Sequence, residues 1–365
     1  MANEEWLYAR VHHTGHRDGE LLLADLVPRW VDAAERAGVR RWFFIRYADA
    51  SGPHLRVRFR GTPAVLDDCW EAGRALWKEH VPPPARGEVQ RLHPRAEEGL
   101  PGHGGRRLSL GLYGREHHYY GSPAAAGIAE EVFQASSELS LGAVRATGPD
   151  RTARAHLAVL VMRSCLGTLG RTQRERIWRL HWGHWTGLLA GDPAWLRETE
   201  RIAERWPSGG RPSTGDREAA ARPDAAGTAA ASASVSALPT AAVAGTDAGT
   251  DARTAAVART AAVAGTDAVA GTDAGTDAGP VPALTAAADA LGRDLADGVR
   301  RALAADPDAV ASRLLLMQMH MTLNRLGFLP LEEAVLGRVA ARAEHSDPPV
   351  PPRAHPDAPP GATAP

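Results

Sequence analysis

The chain of 365 residues carries 42 Lys and Arg against 43 Asp and Glu, a formal charge of -1, so it has no global basic field for nucleic acid. Its 2 cysteines, Cys69 and Cys165, exclude a disulfide framework and a CxxC metal or redox motif. No run of about 18 apolar residues is present, so no membrane span is expected.

The start, "MANEEWLYARV", lacks a charged segment followed by an apolar core, which makes a cytoplasmic protein without a signal peptide the expectation. "WLYARVHH" (6–13) is an apolar, β-prone run. "DGELLLADLVPRWVDAAERAG" (18–38) has helical spacing and stops at Gly38. Pro28 either kinks this helix or marks its true start. "RRWFFIRYAD" (40–49) reads as a strand, and "SGP" turns it into "HLRVRFRG" (54–61). This last run alternates strictly, with Leu55, Val57 and Phe59 on one face and Arg56, Arg58 and Arg60 on the other. "PAVLDDCWEAGRALWKEH" (63–80) is helical, with Pro63 in its first turn and Cys69 as a small core side chain. "GEVQRLHP" (87–94) and "RRLSLGLYG" (106–114) read as further strands. The fold class expected is α+β: a ferredoxin-like β-α-β-β-α-β sheet with additional strands, backed by helices.

From residue 123 the pattern is helical, over 123–140, 151–169, 172–190 and 193–206. Trp178, Trp182 and Trp185 share one helix face and read as core. Residues 208–279 differ: "RTAAVA" occurs twice, "AGTDAGTDA" recurs in variants, and no aromatic residue is present. Such a segment buries too little apolar surface to offset its ordering entropy, so it reads as a disordered insertion. Helices resume over 284–306, then over 307–328 with Pro307 and Asp308 as start signals and Gly327 as the stop, and end with 330–345. The organisation expected is one domain made of 1–207 and 280–345, with a Pro-rich disordered tail over 346–365.

Four groups of residues could carry chemistry. Arg56 and Arg58 form either a solvated strand face or a stripe that binds anions or carbonyls, for which planar guanidinium donors are suited. "EHHYYG" (116–121) joins a strand to a helix and packs Glu116, His117, His118, Tyr119 and Tyr120 together, as a capped turn or an active-site edge. In "LLLMQMHMTLNRLGF", Leu316, His320 and Asn324 lie on one side of a helix. His181 and His184 in "HWGHW" are three apart, but no HExxH and no third ligand accompany them, so no metal is expected. GxSxG, P-loop and GxGxxG motifs are absent, and no cofactor is expected.

Three motifs together resemble one family. "WFFIRYADASGPHLRVRF" is similar to the strand pair near the start of the small C-terminal domain of lantibiotic dehydratases and their stand-alone relatives in thiopeptide biosynthesis. "YGREHHYYGS" resembles that family's Y-x-x-E-x-x-R-Y-G-G segment, and "HMTLNRLGF" its H-M-x-x-N-R-L helix. "WLYARV" also fits, and the 208–279 segment lies outside the resemblance.

The resemblance implies one of two activities. Elimination domains remove glutamate from glutamylated Ser or Thr. Pyridine synthases join two dehydroalanines by a formal aza-[4+2] cycloaddition, then expel water and the leader peptide. Here Glu116 is present, but the family's Arg position holds Tyr119, and elimination needs a cation for the departing carboxylate. Arg56 and His320 match elimination-domain positions. The expectation is a pyridine synthase with Glu116, Tyr119 and His320 as proton-transfer groups. Arg56, Arg58, His117, Tyr120 and Asn324 would contact substrate. The partner implied is a ribosomally made precursor peptide of leader plus dehydrated core, with glutamylation and elimination enzymes of the same pathway beside it. Glutamate elimination, and a non-catalytic subunit that presents the precursor, are the alternatives.

Overall fold

A computed structural model describes residues 4–98, 100, 104–189, 192–206 and 281–346. The expectations for 208–279 and for the tail beyond residue 346 lie outside the described residues. In chain order the elements are β1 (Glu5–His12), α1 (His16–Ala24), α2 (Leu26–Ala37), β2 (Arg41–Asp49), β3 (Gly52–Gly61), α3 (Pro63–His80) and β4 (Arg107–Gly111). The helical half follows: α4 (His117–Tyr120), α5 (Pro123–Thr147), α6 (Arg151–Leu166), α7 (Arg171–Thr186), a 3-10 turn (Gly187–Leu189), α8 (Pro193–Arg205), α9 (Val281–Ala305), α10 (Ala311–Leu326) and α11 (Pro330–Ser346).

The four strands form an antiparallel sheet in the order β2-β3-β1-β4, the ferredoxin-like arrangement expected from the strand and helix order. Alternation decides its two faces. Ala9, Val11, Phe44, Leu55, Val57 and Phe59 point one way, onto Leu22, Leu23, Val27 and Trp30 of α1 and α2 and Leu66 and Cys69 of α3. Cys69 is core as expected, and burial pushes its thiol up to about 12. The opposite face carries Tyr8, Arg10, His12, His54, Arg56 and Arg58, and there Phe43 joins the core of the helical half.

The long helix expected over 18–38 is two helices, broken at Asp25, and Pro28 sits in the first turn of the second. Gly38 ends it in the left-handed conformation, φ 99°. α5 extends to Thr147. α10 begins at Ala311, because the residues before it form a separate turn, in which Asp306 O accepts from Ala309 N while the Asp306 side chain accepts from Ser122 N at the start of α5. Gly327 stops α10 at φ 94°, as expected.

The strand expected over 87–94 is not formed. Its polar groups turn away from the sheet: Leu92 N donates to Glu332 Oε1 at 2.8 Å, and His93 Nε2 meets Thr199 Oγ1 at 3.0 Å. Gly87 adopts φ 104°, which interrupts any extended run. Among the described residues, β4 is therefore the sheet's last strand and no additional one accompanies it.

β2 is the other edge of the sheet, and helices cover it through side chains. Gln134 Oε1 and Ser137 Oγ, both on α5, accept from Trp42 N (3.3 Å) and Phe44 N (3.1 Å). Asn324 of α10 pairs with Arg46 as a neighbouring strand would: its Oδ1 accepts from Arg46 N at 2.9 Å and its Nδ2 donates to Arg46 O at 3.0 Å. Arg325 Nε donates to Phe44 O at 2.8 Å. Backbone groups at this buried edge cost free energy when unpaired. Asn324→Ala should therefore lower unfolding stability by about 1–3 kcal/mol. A urea titration should show this as a lower midpoint at unchanged slope, whereas an unchanged midpoint would show that the edge does not depend on Asn324.

Candidate functional site

The face of the sheet turned away from α1–α3 collects aromatic rings around two buried guanidinium groups. Arg58 lies over Tyr8 at 4.9 Å, Phe43 at 5.2 Å and Tyr113 at 4.6 Å, measured to the ring centroids. Arg325 lies over Phe133 at 4.7 Å and Phe43 at 6.0 Å. Trp6 and Tyr120 complete the cluster: Trp6 packs edge-on to Phe43 and Tyr113, and Tyr120 edge-on to Phe133. Ring faces attract cations, which makes this a tolerable place for charge removed from water.

The two guanidiniums are short of partners. Arg58 Nε and both terminal nitrogens of Arg325 are buried and have no hydrogen-bond acceptor among the described residues. Burial lowers the pKa of both, that of Arg325 to about 9. Tyr113, Tyr8 and Glu116 pull Arg58 back up against Arg56, and Tyr120 does the same for Arg325 against Arg58. Unsatisfied cationic donors of this kind suit a carbonyl or carboxylate oxygen. Burial raises the phenol pKa of Tyr113 and Tyr120, so both remain protonated donors.

The segment before α4 is held by one buried carboxylate. Glu130 of α5 accepts from Arg115 Nε (2.7 Å) and Nη2 (2.6 Å) and from Tyr113 Oη (3.2 Å). Gly111 makes room for the Tyr8 ring, since a Cβ there would come within 2.7 Å of it. At the other end, Gly121 takes φ 86°, and a Cβ on it would collide with Asp306. Asp306 accepts from Ser122 N at 2.5 Å, and Ser122 Oγ accepts from Ala125 N, which caps α5. "GREHHYYGS" is thus both a capped turn and one wall of the aromatic cluster.

The expected site residues fall into separate groups. Arg56 and Arg58 share a strand face, but Arg56 stacks on Tyr47 at 3.2 Å and reaches toward His54, while only Arg58 is buried in the cluster. Tyr120 is buried against Phe133 and bears electrostatically on Arg325. Tyr119 is 39% exposed and stacks on His118, with ring centroids 4.0 Å apart. His117 Nδ1 lies 3.2 Å from Gly121 O. Both polar groups of Asn324 are engaged by Arg46, which gives it a structural role at the sheet edge rather than a free hand for substrate.

His320 sits one helical turn before Asn324, about 6 Å along the axis. Its Nδ1 lies 2.9 Å and 3.1 Å from the two carboxylate oxygens of Glu333, and its ring stacks on Trp185 at 4.5 Å. No hydrogen bond, ion pair or ring contact among the described residues joins His320 to Glu116, Tyr119 or Arg56. They are linked through α10, whose first turn places Arg313 Nη1 3.4 Å from His118 O and whose last turn meets β2.

Sequence reasoning passed over Tyr8, Arg325 and Glu333. The alternation of β1 places Tyr8 on the same face as Arg58, its register partner, so Tyr8 was within reach of the pattern. Nothing in the pattern distinguishes Arg325 from a solvated helix arginine. His181, three residues before His184, is buried between Trp178 and Trp185, with Gly337 leaving room for its ring. No group of three or more candidate metal ligands occurs among the described residues, and no described helix is long and apolar enough to cross a membrane.

Burial holds several histidines neutral: His12 and His13 fall to about 4, and His16 and His181 to about 3. The unfolded chain takes up these protons below about pH 6.5, and the folded chain does not. Stability should therefore fall as pH drops from about 6.5 to 4. Glu138, raised to about 7 by burial, opposes this, as do Glu35, Asp294 and Glu333, which burial also raises, but the buried histidines and the carboxylates held down by arginines, Asp18 and Glu20, outweigh them. Urea midpoints measured across that range should decline toward acid, and a flat profile would contradict the neutral burial of these rings.

Residues 6–344 match the family model described as "Lantibiotic biosynthesis dehydratase C-term". No curated protein sequence matches the chain. Among solved structures, the tRNA-dependent lantibiotic dehydratase MibB from Microbispora sp. 107891 is similar at 21% identity and a TM-score of 0.48 over 93% of this chain, which spans only 28% of MibB. TsrL is similar at 18% identity and a TM-score of 0.50, over 94% of this chain and 95% of its own. The pyridine synthase TbtD from thiomuracin biosynthesis is similar at 19% identity and a TM-score of 0.51, over 93% of this chain and 97% of its own.

Proposed function

The chain belongs to the lantibiotic biosynthesis dehydratase C-terminal family, and within it we propose a pyridine synthase that acts on a ribosomally made precursor peptide. The observation that carries this reading is Tyr119, which occupies the place of the Arg in the family's E-x-x-R segment. A phenol does not neutralise a departing glutamyl carboxylate as a guanidinium does. The fold shared with a pyridine synthase is compatible with this reading, although a fold alone does not fix a reaction.

The reaction needs two dehydroalanines of one flexible chain brought together. Holding them in a reactive pose removes most of the entropic barrier. One dehydroalanine amide becomes its iminol tautomer, two carbon–carbon bonds form, and the ring aromatises by losing water and then the leader as an amide. Arg58, with its unmatched donors, and Arg56 bind peptide carbonyls. Glu116, Tyr119 and His320 move the protons. His117 and Tyr120 line the same segment. No cofactor is invoked. Residues 1–207 and 280–345 act as one domain, and 208–279 contributes no chemistry.

Glutamate elimination is the second reading, and Arg58 is the observation that favours it. A caged guanidinium without a carboxylate partner could receive a glutamyl carboxylate in place of the missing arginine.

Mass spectrometry on two synthetic peptides separates the readings. A precursor with leader and two preformed dehydroalanines should yield a macrocycle and a leader amide. If that mass stays unchanged while a glutamylated peptide loses glutamate, the chain is an eliminase. Tyr119→Phe should slow cyclisation about 100-fold if its hydroxyl moves a proton. Tyr119→Arg should gain glutamate release, and no change in either variant would remove position 119 from the argument. Replacing 208–279 by a flexible linker should leave product formation intact, and its loss would assign that segment a part in the reaction.

A further inference from the structure

Two adjacent glutamates in the first turn of α11 are fully buried, and they have different partners. Glu332 is neutralised by Arg151 at 2.8 Å and lies 3.5 Å from Arg91, and it also accepts from Leu329 N at the start of its helix. Glu333 meets no arginine among the described residues. Its side-chain partner there is His320, which meets both carboxylate oxygens through Nδ1. The His320 side chain is 20% exposed, and its Nε2 has no hydrogen-bond partner among the described residues. The other groups near it come from α7: Trp185 against the ring, and His184 and His181, each edge-on to that Trp and each lowered in pKa by burial and in part by the charge of His320.

We propose that Glu333 is the positioning residue for His320, holding its Nδ1 as a donor so that the Nε2 lone pair faces the open side as a base. This rests on the reading of the chain as a peptide-modifying enzyme in which His320 moves a proton. The carboxylate acts through the imidazole and touches no substrate. It fixes the tautomer and the ring plane, while Trp185 prevents the ring from rotating. When Nε2 takes a proton from a substrate amide or hydroxyl, the charge forms on a ring already hydrogen-bonded to an anion. The same proton returns from Nε2 to the departing water or amide, so the pair ends as it began. Burial raises the Glu333 pKa and the nearby imidazole pulls it part of the way back. The neutral amide of a Glu333→Gln variant would fill the space without holding that charge.

The test has one arm that requires no substrate. Long-range nitrogen–proton spectra of the full chain, with His320→Gln for assignment, should show His320 in the Nδ1–H tautomer. An Nε2–H tautomer in the wild-type chain would overturn the proposal. In the peptide assay, Glu333→Gln should lower kcat about 10- to 100-fold with KM within about twofold, and Glu333→Asp should recover part of the loss. Glu333→Gln combined with His320→Ala should be no slower than His320→Ala alone, whereas additive losses would overturn the link between them. A chain inactive on both peptides overturns the functional reading, and the spectrum still decides the tautomer by itself.

Discussion

The last turn of α10, from Asn324 to Gly327, is the joint on which the molecule depends. On one side it completes the sheet, because Asn324 and Arg325 satisfy the backbone of the edge strand β2. On the other side its carbonyls, unpaired because the helix ends, receive arginines from across the fold. Arg46 Nε donates to Arg325 O, Arg154 Nη1 to Leu326 O, and Arg151 Nη1 to Gly327 O, with Arg91 at 3.4 Å from the same oxygen. The negative end of a helix favours cations at this position. Glu20 balances Arg46 and Arg154, each at 2.6 Å, and Glu332 balances Arg151. α1, β2, α6, α10 and α11 therefore meet in one polar network. Removing a single charge from it strands another in the interior, which costs more than the pair itself contributes.

The candidate site depends on this joint at one remove. Arg325 leaves the α10 turn with its Nε spent on β2 and its terminal nitrogens unmatched, and it enters the aromatic cluster beside Arg58. The helix that closes the sheet edge also delivers a cation to the site and carries His320 one turn earlier. The sheet edge and the candidate site share this element, so substitutions in "HMTLNRLGF" reach both.

Much of the sheet was legible in the sequence because alternation is a local property. "HLRVRF" alone separates the core face from the arginine face, and β2 and β3 fell where their apolar runs placed them. "GEVQRLHP" misled because a short mixed run between a helix and a further strand fills the place of a strand in the expected order, although Val89 and Leu92, three apart, do not share a strand face, and its fate was decided by Glu332 and Thr199, more than one hundred residues away. Within "EHHYYG" the residue types pointed to a site, but the phase of the short α4 helix decides which ring is buried. Tyr120 turns inward and Tyr119 outward, and four residues carry no periodicity from which to read that. Asn324, on one helix side with His320 in a segment that resembles the family's, reads as a substrate contact. Its true partner is a main chain that no pattern reveals.

The bond between Asn324 and Arg46 spans 278 residues. It also sets an order of events during synthesis. β2 and β3 emerge early and can pair at once, and α5 then covers the Trp42 and Phe44 amides, but the Phe44 carbonyl and both backbone groups of Arg46 have no cover until α10 has been made. At about 5–20 residues per second, that interval is about 15–55 s. For that time the nascent chain presents the later half of an apolar strand, "RWFFIRY", with its edge only partly covered, and an open edge is the geometry that recruits strands from other chains. The fold thus places its greatest exposure to misassembly in the period before its last helices arrive, and folding yield in cells should depend on how well that strand is shielded until then.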